Sequence, residues 1–382
     1  MRRLLVISHT PHHRRDGDVV GWGPTVRELD HLANRFATVR HIACLYDGPA
    51  PATAVAYAAE NVEVVPVPPA GGNGLRGKLG VLRVSSSYVH IIERELKQAD
   101  VVHVRAPANI AMLAMLVLQV RRHPTARWFK YAGNWMPDQV DHATYAFQRW
   151  WLRHVRHGGI VTVAGRWPDQ PAFVHSFQNP SLDDAQLARG QIVAAGKKLV
   201  DRVNLVFVGS LTASKGAARA IEVIAELHRR RVDAHLVLVG DGPERNTCMR
   251  LIAHHSLSGA VDLRGWQSPA MVHAAYEGAH IQLLPSATEG WPKVLSEGMA
   301  YGVVPIAHDV SGIRQQLDEF GCGRVVRSLS PARFADEVAR YLADPLRWKA
   351  ESERAVAAAR LFSYAHYQLR VDELLDALRA DS

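Results

Sequence analysis

The stretch from Ile281 to Val304 (IQLLPSATEGWPKVLSEGMAYGVV) constrains the fold more than any other part of the chain. It begins with four apolar residues typical of a short buried strand, continues through turn-forming residues, and shows a helical pattern from about Pro292, which we expect at the first helical position. In this order, the elements direct backbone N–H groups and the positive end of a helix dipole towards an anion. The stretch therefore predicts an anion-binding loop.

Two glutamates frame this loop. Glu289 lies within it, and Glu297 follows eight positions later, about a turn into the predicted helix. Carboxylates are poor ligands for phosphate but good acceptors for sugar hydroxyls. The pattern favours a ligand that carries phosphates and hydroxyls together, namely a nucleotide-sugar. The alternative is that both residues are ordinary solvated glutamates, which is the usual fate of such side chains.

The rest of the chain alternates short apolar strands with helical patterns. Predicted strands include Leu4–Ser8, Val39–Tyr46 and Val62–Val67 in the first half, and Asn204–Ser210 and Leu236–Gly240 in the second. This alternation indicates an α/β fold with two parallel, doubly wound sheets. We predict a first domain over residues 1–180, a linker over 181–200, a second domain over 201–360, and a terminal helix over 361–382.

Three further blocks precede the glutamates: Leu205–Gly216 (LVFVGSLTASKG), Leu236–Glu244 (LVLVGDGPE) and Leu263–Trp266 (LRGW). Four blocks in this order over roughly a hundred residues are a specific signal. The sequence resembles the family-4 retaining glycosyltransferases, which have the GT-B fold and an E-x7-E signature. The resemblance implies two Rossmann-like domains facing across a cleft, with the terminal helix crossing back to the first domain. It also implies transfer of a sugar from a nucleotide-diphosphate-sugar donor to a hydroxyl of a glycan or lipid-linked acceptor.

The resemblance also implies roles for individual residues. Lys215 and the helix N-terminus near Pro292 would stabilise the departing diphosphate, Glu297 would hold ribose hydroxyls, and Glu289 would hold sugar hydroxyls. The leaving phosphate would take the acceptor's proton, so positioning matters more than a dedicated base. The other predicted donor-binding residues are Gly209, Ser210, Arg219, Arg264, Gly265, Trp266, Gly290, Trp291, Lys293 and Val294. The glycine-bearing loop on the acceptor side consists of Gly21, Trp22 and Gly23.

The chain departs from the family pattern at two positions. Ser210 stands where the family commonly has arginine, and Arg219, one turn beyond Lys215, could replace that cation. Asn134, predicted as a catalytic residue, stands with Gly133 where many members carry histidine, and it can only hydrogen-bond. These departures leave two alternatives open: a GT-B isomerase or phosphorylase, and a catalytically weak partner protein that binds nucleotide-sugar.

Cysteine and histidine usage indicates neither disulfides nor a metal. The three cysteines are widely spaced, which favours a reducing compartment. His9, His12 and His13 have no carboxylate or cysteine spaced to complete a metal site. We expect no metal and no other cofactor. No apolar run reaches transmembrane length, and the first one is too short for a signal peptide, so we expect a cytoplasmic protein.

Charge is uneven along the chain. Residues 1–200 contain 24 Lys/Arg and 15 Asp/Glu, whereas residues 201–382 contain 21 and 22. The surplus of +9 in the first part suits an anionic membrane surface, with peripheral attachment at its inner face, or an anionic acceptor. A soluble protein with a basic isoelectric point is an equally good explanation. No nucleic-acid recognition motif is visible, so we expect no nucleic-acid partner.

Three segments of the first part remain ambiguous in sequence. Tyr145–His157 (YAFQRWWLRHVRH) is typical of an interfacial helix with Arg149, Arg153 and Arg156 as membrane contacts, but an ordinary buried helix is favoured. Pro66–Lys78, rich in Pro and Gly, and His9–Gly21 are expected to be loops that determine specificity. His103, within a predicted strand, is expected to be a structural histidine.

Overall fold

The computed structural model of the protein describes residues 2–71, 75–137, 142–200 and 202–380. The chain forms two compact units, the first made of residues 1–177 and 368–382 and the second of residues 178–367. Each unit has its own hydrophobic core. None of the described helices is long and apolar enough to cross a membrane.

The first unit contains nine strands and four complete helices among the described residues, followed by most of the terminal helix. In chain order they are β1 (Arg3–Arg15), β2 (Asp18–Trp22), α1 (Gly23–Ala33), β3 (Thr38–Leu45), β4 (Ala54–Ala56), β5 (Val62–Val67), α2 (Leu75–Leu96), β6 (Val101–Ala106), α3 (Asn109–Val120), β7 (Ala126–Tyr131), α4 (Ala143–His154), β8 (Ile160–Val163) and β9 (Val174–Ser176).

The parallel strands of this unit lie in the order β5-β3-β1-β6-β7-β8-β9. The second half of β1 also pairs with the antiparallel strand β2, which in turn pairs with β4. The chain therefore winds outwards from β1 in one direction and returns to continue from β6 in the other. This reversal is the topological switch point of a doubly wound sheet.

The second unit contains one six-stranded parallel sheet. Its elements are α5 (Asp184–Gly196), β10 (Val203–Val208), α6 (Ala217–Arg229), β11 (Ala234–Val239), α7 (Arg245–His254), β12 (Val261–Gly265), α8 (Pro269–Gly278), β13 (Ile281–Leu284), α9 (Lys293–Ala300), β14 (Val304–His308), α10 (Ile313–Phe320), β15 (Arg324–Val326), α11 (Pro331–Ala343) and α12 (Pro345–Ala359). The strand order is β12-β11-β10-β13-β14-β15, with the switch point between β10 and β13. The last helix, α13 (Tyr364–Ala380), begins in the second unit and continues into the first.

Several predicted boundaries differ from the structure. The predicted loop His9–Gly21 is mostly strand, because Asp16 and Gly17, with φ of 53° and 92°, form the Asp-Gly turn of a hairpin between β1 and β2. In the predicted loop Pro66–Lys78, β5 ends at Val67 and α2 begins at Leu75, while residues 72–74 lie outside the described residues.

The predicted linker and the predicted terminal segment both contain helices. Residues 181–200, expected as a linker, contain α5, whose N-terminus carries a capping box between Asp183 and Gln186. In the terminal segment 361–382, α13 extends to Ala380, and residues 381–382 lie outside the described residues.

A buried chain of hydrogen bonds lies beside the switch point of the first unit. His12 Nδ1 is 3.0 Å from the Thr10 carbonyl oxygen, which can only accept, so Nδ1 carries the proton. The other nitrogen therefore accepts from the Tyr57 hydroxyl at 3.0 Å, and Tyr57 accepts from His41 Nδ1 at 2.8 Å. Ser8 Oγ lies 2.7 Å from His41 Nε2 and also 2.9 Å from Thr10 Oγ1. Burial lowers the pKa of both imidazoles, which keeps this directed chain neutral.

Gly21 packs directly against this chain. A Cβ atom at position 21 would overlap the imidazole of His12, whose ring is fully buried and bonded at both nitrogens. The ring has no room to move without breaking those bonds. The absence of a side chain at Gly21 is therefore what lets β2 approach β1 at this point.

We predict that Gly21→Ala destabilises the first unit by about 1–3 kcal/mol, because the added methyl overpacks a site that cannot relax. Chemical denaturation followed by circular dichroism measures the change. The matched control is Gly80→Ala, at a position in α2 where a Cβ meets nothing within 4 Å, and it should leave stability equal or slightly higher. Equal stability of both variants would contradict this account of the packing.

Candidate functional site

The switch point of the second unit brings together two loops that the sequence predicts as functional. Because β10 and β13 are neighbours and parallel, the loop after β10 (residues 209–216) and the loop after β13 (residues 285–292) leave the same edge of the sheet side by side. Ligands of open α/β sheets bind outside the carboxyl ends of the strands at this point. The topology therefore indicates a binding site between these two loops.

Lys215 and Glu289 meet across these loops. The Lys215 ammonium lies 2.7 Å and 2.9 Å from the two carboxylate oxygens of Glu289. The Glu289 side chain is only 7% exposed, whereas that of Lys215 is 35% exposed. A carboxylate this buried requires a paired cation, and the half-exposed ammonium remains accessible to a ligand. The structure thus brings Lys215, the predicted cation for the diphosphate, into contact with Glu289, the predicted carboxylate for the sugar hydroxyls.

Main-chain contacts hold the loops together around this pair. The Ala287 N–H donates to the Ser214 carbonyl at 2.7 Å, and the Ser286 hydroxyl donates to the Lys215 carbonyl at 3.3 Å. The loop after β14 joins them, because His308 Nδ1 lies 2.9 Å from the Ser286 carbonyl and donates to it. The Lys215–Glu289 pair therefore rests on a framework of three cross-linked segments, and Ser286 and His308 are site residues that the sequence analysis missed.

Arg219 is part of this framework. Its Nε donates to the Pro285 carbonyl at 2.9 Å, and its Nη2 donates to the Ala213 carbonyl at 3.0 Å. The guanidinium thus bridges the loops after β10 and β13. Both of these donors are directed at backbone oxygens, and the expectation that Arg219 replaces the missing phosphate cation stays a prediction.

The helix after the loop begins one residue later than predicted. Lys293 is the first residue of α9, and Pro292 precedes it in an extended conformation as the N-cap. Glu297 lies on this helix, and the Tyr276 hydroxyl donates to its Oε2 at 3.4 Å. Tyr276 is fully buried, and burial together with the Glu297 charge raises the pKa of its phenol. Tyr276 gave no signal in the sequence, because it lies in α8, outside the recognised blocks.

The ring of Trp291, a residue predicted to bind the donor, packs against aromatic side chains. Its ring is 5% exposed, lies parallel to the ring of Phe362 at 5.0 Å between centroids, and meets Phe320 edge-on at 6.3 Å. Stacked and edge-to-face aromatic packing of this kind anchors a loop. The side chain of Trp291 therefore secures the loop rather than facing a ligand.

The other predicted donor residues lie along the same sheet edge. Gly209 follows β10, and a Cβ at Gly240, whose φ is +141°, would collide with the Gly209 carbonyl, so the loops after β10 and β11 pack backbone to backbone. Gly240 N–H also donates to the Gly265 carbonyl at 2.9 Å. The remaining residues differ in exposure: Ser210, Arg264 and Trp266 are exposed, and Gly290, Lys293 and Val294 are half-buried.

The predicted residues of the first unit are placed as follows. Gly21 and Gly23 are buried, whereas the Trp22 side chain is 46% exposed. Asn134 follows β7, and its Oδ1 accepts a hydrogen bond from the Met136 N–H at 3.2 Å. His103 is fully buried and stacks on Trp128 at 3.8 Å, which confirms a structural role. Among the described residues, no group of three or more His, Cys, Asp or Glu is arranged to hold a metal ion.

The bridge made by Arg219 can be tested. Arg219→Ala leaves carbonyls of both loops without their donor and should lower the stability of the second unit by about 1–3 kcal/mol. Arg219→Lys should restore part of this, because one ammonium cannot span both loops. The control is Arg229→Ala, at an exposed residue of the same helix, with unchanged stability expected. Full stability of Arg219→Ala combined with lost nucleotide affinity would instead place this side chain on the ligand.

A comparison with protein families finds a match within the second unit. Residues 191–362 match the family model described as Glycosyl transferases group 1. The chain is 34% identical over 147 residues to alpha-D-kanosaminyltransferase of Streptomyces kanamyceticus, a match that covers 38% of each protein. The chain matches less than half of the length of the first curated relatives, from 38% to 46%.

Solved structures extend the likeness to both units. Sucrose-phosphate synthase of Thermosynechococcus elongatus matches with a TM-score of 0.72 and 18% identity over 100% of both chains. HepE of Anabaena, solved in complex with UDP and glucose, matches with a TM-score of 0.66 and 15% identity over 98% of this chain and 100% of that one. The predicted fold class is confirmed: the chain has the GT-B fold, with two Rossmann-like units, and its residues 191–362 are similar to the group 1 glycosyl transferases.

Proposed function

We propose that the protein is a retaining glycosyltransferase that moves a sugar from a nucleotide-diphosphate-sugar to a hydroxyl acceptor. The observation that carries the proposal is the Lys215–Glu289 pair at the switch point of the second unit, directly before the N-terminus of α9. One cation, one carboxylate and a helix N-terminus at one sheet edge suit a ligand with both phosphates and hydroxyls. The likeness to a protein solved with UDP and glucose supports the same ligand class.

The geometry suggests how the site would act. In the structure Glu289 neutralises Lys215. A donor diphosphate would compete for the ammonium and release the carboxylate to accept hydroxyls of the transferred sugar. As the bond to the anomeric carbon breaks, negative charge grows on the diphosphate, where Lys215 and the backbone N–H groups before α9 stabilise it. Attack of the acceptor from the same face lets a phosphate oxygen take its proton and retains the anomeric configuration.

The acceptor in this proposal is a glycan or a lipid-linked glycan, and the protein works in the cytoplasm with a peripheral position at the inner membrane face. Transfer proceeds without a metal, because the Lys215 ammonium and the helix N-terminus provide the positive charge. Incubation with a panel of nucleotide-sugars and cell-derived acceptors, with and without EDTA, tests these statements together. Proton NMR of the product's anomeric signal tests retention.

A second candidate function is that of a catalytically weak partner that binds nucleotide-sugar. Two observations favour it: Ser210 is exposed and uncharged, and Arg219 directs Nε and Nη2 at backbone carbonyls. Fewer cations would then stabilise the leaving diphosphate. Donor binding without product in the panel would identify this function, whereas donor turnover without an acceptor, or dependence on free phosphate, would identify an isomerase or phosphorylase.

The ion pair makes the roles of the two glutamates separable. Glu289→Gln frees Lys215, so affinity for a free nucleoside diphosphate should rise by about two- to fivefold while transfer falls. Glu297→Gln should weaken nucleotide binding, because it removes an anionic acceptor for the ribose. Isothermal titration measures binding, and product formation measures transfer.

The control for this pair is Glu277→Gln, which removes an ion pair with Arg189 in the same unit and should change neither quantity. Weaker nucleotide binding by Glu289→Gln would show that this carboxylate contacts the nucleotide and does not compete with it.

A further inference from the structure

Two adjacent helices of the first unit present apolar side chains to solvent. In α3, Leu116 is 44% and Val120 is 74% exposed, and the helix contains no charged residue at all. In α4, Phe147 is 37% and Trp150 is 52% exposed, and their rings lie 6.0 Å apart. A surface helix of an α/β unit normally turns polar residues outwards. We call these four side chains the apolar ridge.

The topology places the ridge on one side of the sheet. The helices α3 and α4 connect β6 to β7 and β7 to β8, successive parallel strands in one direction, so right-handed crossovers put both helices on the same face. The Ala108 N–H donates to Gln148 Oε1 at 3.0 Å and ties the start of α3 to α4. The exposed side chains of the two helices therefore lie on the same side of the sheet.

Basic residues border the ridge where the helices end. Arg121, Arg122 and His123 follow α3, and Arg153 and Arg156 lie at the end of α4. Arg121 pairs with Glu93, but in the described part of the chain no carboxylate pairs with the other three arginines. Residues 101–168 contain nine Lys/Arg and two Asp/Glu. Both acidic residues of this segment, at positions 138 and 141, lie outside the described residues.

A cationic cleft of about 500 Å³ lies beside the ridge, between the ends of α2 and α3, lined by Glu93, Leu96, Lys97, Arg121, Arg122 and His123. The end of α3 would ordinarily repel an anion, because helix C-termini carry unpaired carbonyls. Buried Arg127 removes this obstacle by donating to the Leu118 carbonyl at 2.8 Å and to the Pro124 carbonyl at 2.8 Å. The cleft thus combines space, positive charge and a neutralised helix end.

Arg149, one of the predicted membrane contacts, lies inside the unit and is corrected. Arg149 is 9% exposed and donates to the Tyr131 hydroxyl at 3.0 Å, so it belongs to the interior of the unit. Trp151 is also buried, at 3%. The helix α4 is therefore an ordinary packed helix on one face and an aromatic, basic surface on the other.

We propose that this surface docks the protein onto an anionic phospholipid membrane, with the apolar ridge at the depth of the headgroups and a lipid phosphate in the cationic cleft. An exposed tryptophan beside unpaired arginines suits the boundary between headgroups and acyl chains. The acidic surface of a soluble protein would pair with the arginines but would leave Leu116 and Val120 without apolar contacts. The docking surface rests on the proposed function only in that a lipid-linked acceptor gives it a purpose.

Flotation with equimolar phosphatidylglycerol and phosphatidylcholine vesicles tests the proposal. The parent protein should bind at low salt, release as salt shortens the Debye length to roughly 8 Å and below, and bind pure phosphatidylcholine poorly. Arg122→Gln/Arg156→Gln should reduce binding on the order of tenfold. Leu116→Gln/Val120→Gln/Trp150→Gln should reduce it at least as much. The control, Arg333→Gln/Leu346→Gln, removes an exposed arginine and an exposed leucine from the second unit and should bind like the parent.

Three results would overturn the proposal. They are no vesicle binding by the parent protein at low salt, binding equal to the parent's by both the arginine variant and the apolar-ridge variant, or loss of binding in the control. Sedimentation analysis adds a fourth, since a dimer that the ridge variants abolish, without vesicle binding, would assign the surface to a second copy of the chain. Nucleoside-diphosphate binding by each variant, followed by thermal shift, confirms folding. That binding also separates failure of docking from failure of the proposed transfer.

Discussion

Parallel pairing of β10 with β13 is the constraint on which the candidate site depends. It sets the loops after these strands side by side, and the Lys215–Glu289 pair forms only because of that proximity. The carboxylate is buried at the cost of its hydration, which the ammonium and the surrounding loop contacts offset. Arg219 and His308 then fix the loops through backbone carbonyls. The positive groups of the site are thereby held in fixed positions by the protein, which is the arrangement that electrostatic stabilisation of a leaving group requires.

Much of this arrangement was readable in the sequence. Apolar strands alternating with helices predicted both sheets, and the glycine, lysine and glutamate blocks located the loops of the site. The hairpin after β1 was missed although Asp16-Gly17 is a strong turn signal, because the surrounding histidines looked like a polar loop. Partners that are distant in sequence could not be predicted. Lys130, for example, is buried and lies 2.6 Å from Glu28, which belongs to a distant part of the sequence. The stacking of Trp291 on Phe362 likewise could not be predicted, because the two residues are distant in sequence.

The first unit uses its basic residues differently from what its composition suggests. Many cations of the first unit are internal: Arg127 caps a helix end, Arg149 binds a tyrosine hydroxyl, and Arg105 joins the Glu28 carboxylate at 2.8 Å. The surplus of positive charge is therefore not a uniform field. The exposed cations include Arg121, Arg122 and Arg156 at the ends of α3 and α4, beside exposed apolar side chains. Local geometry, more than net charge, decides which surface of this unit suits an anionic partner.

The central claim is that the switch point of the second unit binds the diphosphate of a nucleotide ligand. Hydrogen–deuterium exchange with and without a nucleoside diphosphate tests it most directly, because it reports protection of backbone N–H groups by position. The account predicts protection in residues 209–216 and 285–297, and unchanged exchange in α11. Unchanged exchange in both loops at saturating nucleotide, or protection confined to another edge of either sheet, would contradict it.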